Sequence, residues 1–175
     1  MTARTPILTG GCQCGAVRYA VFAPLTNSAL CQCRMCQKAF GGAFAALASV
    51  SLADLEWTRG HPRLFDSSDE VARGFCANCG TPLTFAYRGR DYLDVSLGSL
   101  DDPSAVAPEG QVWASSQMPW FGHLHQLPSR DGDDPGYEDT VAAVAASSHQ
   151  HPDHDTANDG PDAWTPRPSR HWTGK

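Results

Sequence analysis

Seven cysteines, all between Cys12 and Cys79, constrain this 175-residue chain more than any other feature. They fall into three clusters: Cys12-Gln-Cys14, Cys31-Gln-Cys33-Arg-Met-Cys36 and Cys76-Ala-Asn-Cys79. In an extended chain, residues two apart face the same side, so a C-x-C pair presents two sulfurs to one ion. A C-x-x-C pair does so around a tight turn. Gly80, directly after Cys79, tolerates the left-handed backbone that ends such a knuckle. An odd number of thiols excludes complete pairing within the chain. Clustered thiols of this kind point to metal ligation.

Two other uses of cysteine fit less well. A redox C-x-x-C opens a helix in a thioredoxin-like pattern, and no such pattern is visible. Core filler has apolar neighbours, whereas these cysteines stand beside Gln13, Gln32, Arg34 and Asn78. Zinc takes four thiolates at about 2.3 Å in a tetrahedron, and closed four-cysteine sites are structural. Seven divides as four plus three. One division joins Cys12, Cys14, Cys76 and Cys79, leaving Cys31, Cys33 and Cys36 with an open position. Spacing equally allows Cys33, Cys36, Cys76 and Cys79 to group, leaving Cys12, Cys14 and Cys31. Sulfur ligands alone do not choose between zinc and iron.

Charge and composition place the ordered part. Residues 1–130 carry ten Lys/Arg and ten Asp/Glu, whereas residues 131–175 carry nine acids against Arg167, Arg170 and Lys175. The net charge of −6 therefore lies in the tail. A neutral core offers no electrostatic footprint for nucleic acid. No run approaches the ~18 apolar residues of a membrane span, and the first residues contain no apolar signal region. The expectation is a cytoplasmic protein with reduced thiols, binding neither nucleic acid nor membrane.

Alternation at Val17, Tyr19 and Val21 predicts a half-buried strand, and Gly41–Val50 a buried one. Leu83, Phe85 and Tyr87 alternate, "RGRD" turns, and Leu93, Val95 and Leu97 alternate back, which predicts a hairpin. "QVWAS" adds one short strand, and "ADLEWTRG" a single helical turn. The reading is a mainly β domain over residues 1–130, its pairing mainly antiparallel, with a small core stapled by metal. Residues 131–175 are rich in Asp, Pro, Ser, Gly and His, with "VAAVAA" as their one apolar cluster. Such a segment buries too little surface to offset its ordering entropy and reads as a disordered tail. Its His149, His151 and His154 have a spacing that could chelate metal.

At these residues the chain resembles the glutathione-dependent formaldehyde-activating enzyme family, whose domain is shared with centromere protein V. The likeness runs from "GGCQCGAVRY" through "CQCRMCQKAFGGAF", "FDSSDEVARGFCANCGTPLTF" and "DYLDVSLGSLDDP" to "SSQMPWF" and "LPSR". It covers about residues 8–130 and leaves out the tail. The resemblance implies a β-tent fold with two zinc ions. It assigns Cys12, Cys14, Cys76 and Cys79 to a structural site, and Cys31, Cys33 and Cys36 to a catalytic one. Family members often read His-Ile-Trp or His-Ile-Tyr where this chain has Gln111-Val112-Trp113.

The family name implies that glutathione and formaldehyde are joined as S-hydroxymethylglutathione, or the reverse, a carbon–sulfur lyase reaction. Zn²⁺ with three thiolates carries a formal −1, which blunts its power to acidify water. A soft, open thiolate site is better suited to capture a fourth sulfur. Arg34 and Lys38, in and just beyond the second cluster, are the candidates to offset the added charge or to bind a substrate carboxylate. His61, His123 and His125 are further candidate ligands, and Trp120 a candidate pocket wall. The alternative is a non-catalytic module with two structural zincs that engages a protein partner.

Overall fold

The strand expected at residues 17–21 forms, but all four of its residues, Arg18–Val21, are buried rather than alternate ones. The computed structural model describes residues 4–129, 136–158 and 163–167. Strands β1 (Leu8–Gly11) and β2 (Arg18–Val21) pair antiparallel. The chain continues through β3 (Thr26–Cys31), helix α1 (Arg34–Phe40) and β4 (Ala45–Ser51). A 3-10 turn at Leu52–Asp54 leads into β5 (Leu55–Arg59), which closes a three-stranded sheet in the order β1-β2-β5. The remaining strands are β6 (Arg63–Asp66), β7 (Val71–Phe75), β8 (Pro82–Tyr87), β9 (Tyr92–Ser96) and β10 (Gly110–Val112). They join β3 and β4 in a seven-stranded sheet ordered β10-β3-β4-β9-β8-β7-β6.

The protein is thus mainly β, as the alternation predicts, and its strands form two sheets. One pair is an exception to the antiparallel pairing: β10 runs parallel to β3, with Gln111 opposite Leu30. Helix α1 has no counterpart in the sequence reading. It is seven residues long, too short for a readable helical period.

The core lies between the sheets. Val17, Tyr19 and Val21 meet Ala48, Val50, Leu93 and Val95 there. Tyr19 is fully buried, its hydroxyl pairs with Ser99 Oγ at 2.8 Å, and its ring meets Trp57 edge-on. The other face of the large sheet is different. Arg73, Phe85, Asp94 and Ser49 stand opposite one another across β7, β8, β9 and β4. In-register neighbours share a face, so this row points away from Leu93 and Val95. The predicted hairpin therefore divides its apolar residues between the two sides. Phe85 and Tyr87 face a cavity, while Leu93, Val95 and also Leu83, at the register shift of β8, face the core.

The C-terminal segment uses the surface of the domain. Helix α2 (Glu138–Ala146) contains "VAAVAA" and buries none of its residues. Beyond it, His151 is 6% exposed, and its N–H donates to the Gln13 carbonyl at 2.7 Å. The Trp164 indole donates to the Cys14 carbonyl at 2.8 Å and packs edge-on against His151. Arg59 donates to the Thr156 and Ala157 carbonyls at 2.8 and 2.9 Å. Gly15, at φ 71°, leaves room for this strap, because a Cβ there would sit 2.3 Å from the His151 ring. The composition argument holds in one respect: the described tail residues build no core of their own. Residues 131–135, 159–162 and 168–175, also part of that expectation, lie outside the described residues. No helix among the described residues is long and apolar enough to cross a membrane.

Arg18 is the buried charge of β2. It grips Asp101 with two hydrogen bonds of 2.7 and 2.5 Å and reaches Asp155 of the tail at 2.9 Å. Burial pushes the Asp101 carboxyl up, but the bonds from Arg18 and Thr9 prevail and hold it below the ordinary carboxylate range. Removing one partner of a buried pair strands the other, at a cost of about 3–5 kcal/mol. Asp101→Ala is therefore expected to lower stability by about that much in denaturant titration, and Asp155→Ala, half exposed, by at most about 1 kcal/mol. A depressed folded pKa means stability present above the ordinary carboxylate range and lost as pH falls through the depressed value. The gap between wild type and Asp101→Ala should accordingly narrow in acid.

Candidate metal centres

The structure selects the division of cysteines that spacing left open. Cys12, Cys14, Cys76 and Cys79 converge with their sulfurs within 4.8 Å of one another, and Cys31, Cys33 and Cys36 do so separately. The alternative grouping of Cys33 and Cys36 with Cys76 and Cys79 does not occur. In the first cluster the Cys12–Cys14 and Cys14–Cys76 sulfurs lie 3.6 and 3.8 Å apart. Sulfurs bonded at 2.3 Å in a tetrahedron are about 3.8 Å apart, so the donor set fits a zinc-sized ion.

Local backbone explains both clusters. Cys12 and Cys14 follow β1, and Cys76 and Cys79 occupy the β7–β8 turn, where Gly80 takes the predicted left-handed conformation at φ 81°. The Val17 N–H and the Asn78 amide donate to the Cys12 and Cys14 sulfurs at 3.3 and 3.1 Å. In the second cluster Cys31 ends β3, and Cys33 caps α1 by accepting from the Cys36 N–H at 3.3 Å. Ala45, Leu47 and Phe85 pack beneath these three sulfurs.

Burial raises the thiol pKa of Cys12, Cys76 and Cys36, and pushes Cys31 up to about 12. Burial also acts on Cys79, but the Thr81 hydroxyl and nearby N–H groups outweigh it and bring Cys79 down to about 7. Cys33 is lowered as well: N–H donors at the start of α1 overcome the effect of burial. Metal ligation by such thiols requires that they lose their protons, so it is pH-dependent.

The three-sulfur cluster stands on the wall of a cavity of about 670 Å³. Arg73 is the cation in contact with it. That side chain is 7% exposed, donates from Nη2 to the Cys36 sulfur at 3.4 Å and from Nε to Ser67 at 3.1 Å, and lies over the Phe85 ring. Its Nη1 is buried without a partner. Arg34, a sequence candidate, lines the same cavity, and Lys38 lines an adjoining one of about 480 Å³. Arg73 and Met35 border both.

Sequence reasoning missed Arg73, although a lone charge inside "VARGF" was its signal. It also missed Asp94, which lines the cavity and accepts from Ser49 Oγ at 2.7 Å. Trp113 lines the cavity, whereas Trp120 stands exposed ahead of a 3-10 turn.

The other sequence candidates lie elsewhere. Among the described residues, the two cysteine groups are the clusters of three or more His, Cys, Asp or Glu that could hold an ion. His61 packs near Trp57, and His123 pairs with Gln126. His149 pairs with Arg167, and His151 with Thr156. Gln111 accepts from Gln32 and Gln117 at 2.5 and 3.2 Å. Gln37 ties the same network to the Gln32 and Ser116 carbonyls.

The sequence pattern of the family described as glutathione-dependent formaldehyde-activating enzyme matches residues 7–116. The chain belongs to that family. Among solved structures it is similar to a Rhodobacter sphaeroides protein, a structural genomics target, with 25% identity and a TM-score of 0.46. That match covers 59% of this chain and 99% of the other. The family match includes all seven cysteines and stops ahead of the tail strap.

Thiols that must lose protons bind metal more tightly as pH rises. Two ions per chain are expected in protein purified anaerobically without added metal. On acidification in the presence of chelator, the three-sulfur cluster should lose its ion at a higher pH than the four-sulfur cluster. Metal analysis and ¹¹³Cd NMR of the substituted protein read both outcomes.

Proposed function

We propose that the protein is a zinc-dependent carbon–sulfur lyase acting on a thiol adduct such as S-hydroxymethylglutathione. The observation that carries this reading is the three-sulfur cluster opening on a cavity, with a buried arginine donating to one of its sulfurs. Cys12, Cys14, Cys76 and Cys79 would hold a structural ion that staples the β-tent, and Cys31, Cys33 and Cys36 a second ion. A bound zinc supplies at the second site an open position for a thiolate sulfur.

The residues of the chain then do the rest. Cys31, Cys33 and Cys36 leave one side of their cluster for the substrate. Arg73 offsets the negative charge that accumulates when a substrate thiolate approaches three others, and its buried position strengthens that effect. Arg34 and Lys38, which line the two cavities, would take the carboxylates of a glutathione-like peptide. Phe85 and Leu47 exclude water beneath the sulfurs. In the joining direction the thiolate attacks the aldehyde carbon, forming the carbon–sulfur bond, and the carbonyl oxygen takes a proton. Cleavage is the reverse.

An open cluster at a cavity wall has little value in a purely structural module. Cys36→Ser should keep the fold and the four-sulfur metal while abolishing glutathione-dependent exchange of formaldehyde, followed by NMR. Cys79→Ser should lose its ion and much of its thermal stability. Equal loss of folding in the two variants would favour a non-catalytic zinc module instead. Arg73→Gln keeps a donor but removes the charge, and is expected to weaken glutathione binding by about tenfold or more.

A further inference from the structure

The cavity holds one carboxyl whose place is not explained by packing. Asp94 stands in the row Arg73–Phe85–Asp94–Ser49, one strand beyond the phenylalanine that packs under the three sulfurs. Neighbouring strands lie about 4.8 Å apart, so its backbone is about 10 Å from that of Arg73. It accepts a hydrogen bond from a neutral donor, the Ser49 hydroxyl, at 2.7 Å. Among the described residues it forms no ion pair, unlike Asp54, Asp66, Asp101 and Asp155. A half-buried carboxylate without a cation is costly to keep, and such groups concentrate at functional sites.

We infer that Asp94 carries the proton of the reaction: it accepts the proton of the substrate thiol and returns it to the oxygen of the aldehyde. This rests on the thiol-adduct reading above. The balance closes without another reactant. The S–H bond breaks, leaving its electron pair on sulfur, and the proton passes to an Asp94 oxygen, directly or through one water. The sulfur pair forms the bond to carbon, the carbonyl π pair moves to oxygen, and that oxygen takes the proton back from Asp94.

The surroundings suit this role. Burial raises the Asp94 pKa, with the Ser49 hydrogen bond opposing it. The other titratable or charged groups facing the cavity are Arg34 and Arg73, Tyr87 and Tyr92, and the three thiols. Arg73 is engaged with Cys36, Ser67 and the Phe85 ring rather than with Asp94. A new thiolate in the cavity adds negative charge and so draws a proton onto Asp94 at the moment the thiol gives one up.

The test uses the zinc-loaded full chain, its Asp94→Asn variant and its Ser49→Ala variant. Asparagine keeps an oxygen for Ser49, and zinc content with circular dichroism checks that the fold is kept. Glutathione binding is followed calorimetrically near neutral pH in buffers of different ionisation enthalpy, which counts the protons released. Wild type and Ser49→Ala should release about one proton fewer per thiol than Asp94→Asn, because the carboxyl retains it. With formaldehyde added, turnover of Asp94→Asn should fall by about 10²-fold or more. Equal proton release, or turnover within about threefold of wild type, overturns the role of Asp94 and leaves the thiol reading standing. Failure of wild type to bind glutathione overturns both. A retained proton without any action on formaldehyde supports Asp94 as acceptor and overturns the lyase reading.

Discussion

Convergence of four sulfurs from two distant stretches is the constraint on which the rest of the structure depends. Cys12 and Cys14 leave the small sheet, Cys76 and Cys79 turn between two strands of the large one, and their meeting fixes how the sheets face each other. The core between the sheets is small and built largely of Val, Ala and Leu, with Tyr19 as its largest fully buried side chain. A core of that kind supplies modest stability, and a metal that binds only the folded thiol set adds its binding free energy to folding. The same place anchors the C-terminal strap through the Gln13 and Cys14 carbonyls.

With one face of the large sheet committed to that core, the other face is free for chemistry. Strand alternation delivers the two sets of residues at once. Leu93 and Val95 point inward, while Tyr92 and Asp94, alternating with them, point into the cavity. Arg73 joins the sheet to the second cluster by reaching across Phe85 to Cys36. The glutamine network of Gln32, Gln37, Gln111 and Gln117 ties α1, which carries Cys36 and is capped by Cys33, to β10. Gln111 thus serves as a hydrogen-bond acceptor in this network.

Much of this is legible in the chain because it is local. The strand at Val17–Val21, the buried strand after Phe44, the hairpin from Pro82 to Ser96 and the left-handed Gly80 all follow from period-two patterns and turn residues. The cation at the second cluster is the instructive difference. Arg34 and Lys38 are near the cysteines in sequence and both line cavities, yet Arg73, 37 residues from Cys36, makes the contact. Proximity along the chain favours the first two, but α1 projects them outward while its buried side turns Cys36 toward β7. Asp94 was hidden for a related reason, since a charge alternating with apolar residues ordinarily reads as solvent-facing. The tail shows a third limit. Composition speaks to whether a segment can bury itself, not to whether it finds partners on a finished surface, as His151 and Trp164 do.

By itself, then, the sequence determined the clustering of the cysteines as candidate metal ligands, the mainly β fold and the membership of the family, because thiol spacing, alternation and motif order are properties of short stretches. Tertiary structure alone decided which cysteines share a site, which sheet face is core and which is cavity, and which cation and carboxyl stand there. Those are relations between strands far apart in the chain, set by register across the sheet, and a one-residue change of register would send every one of these side chains to the opposite face.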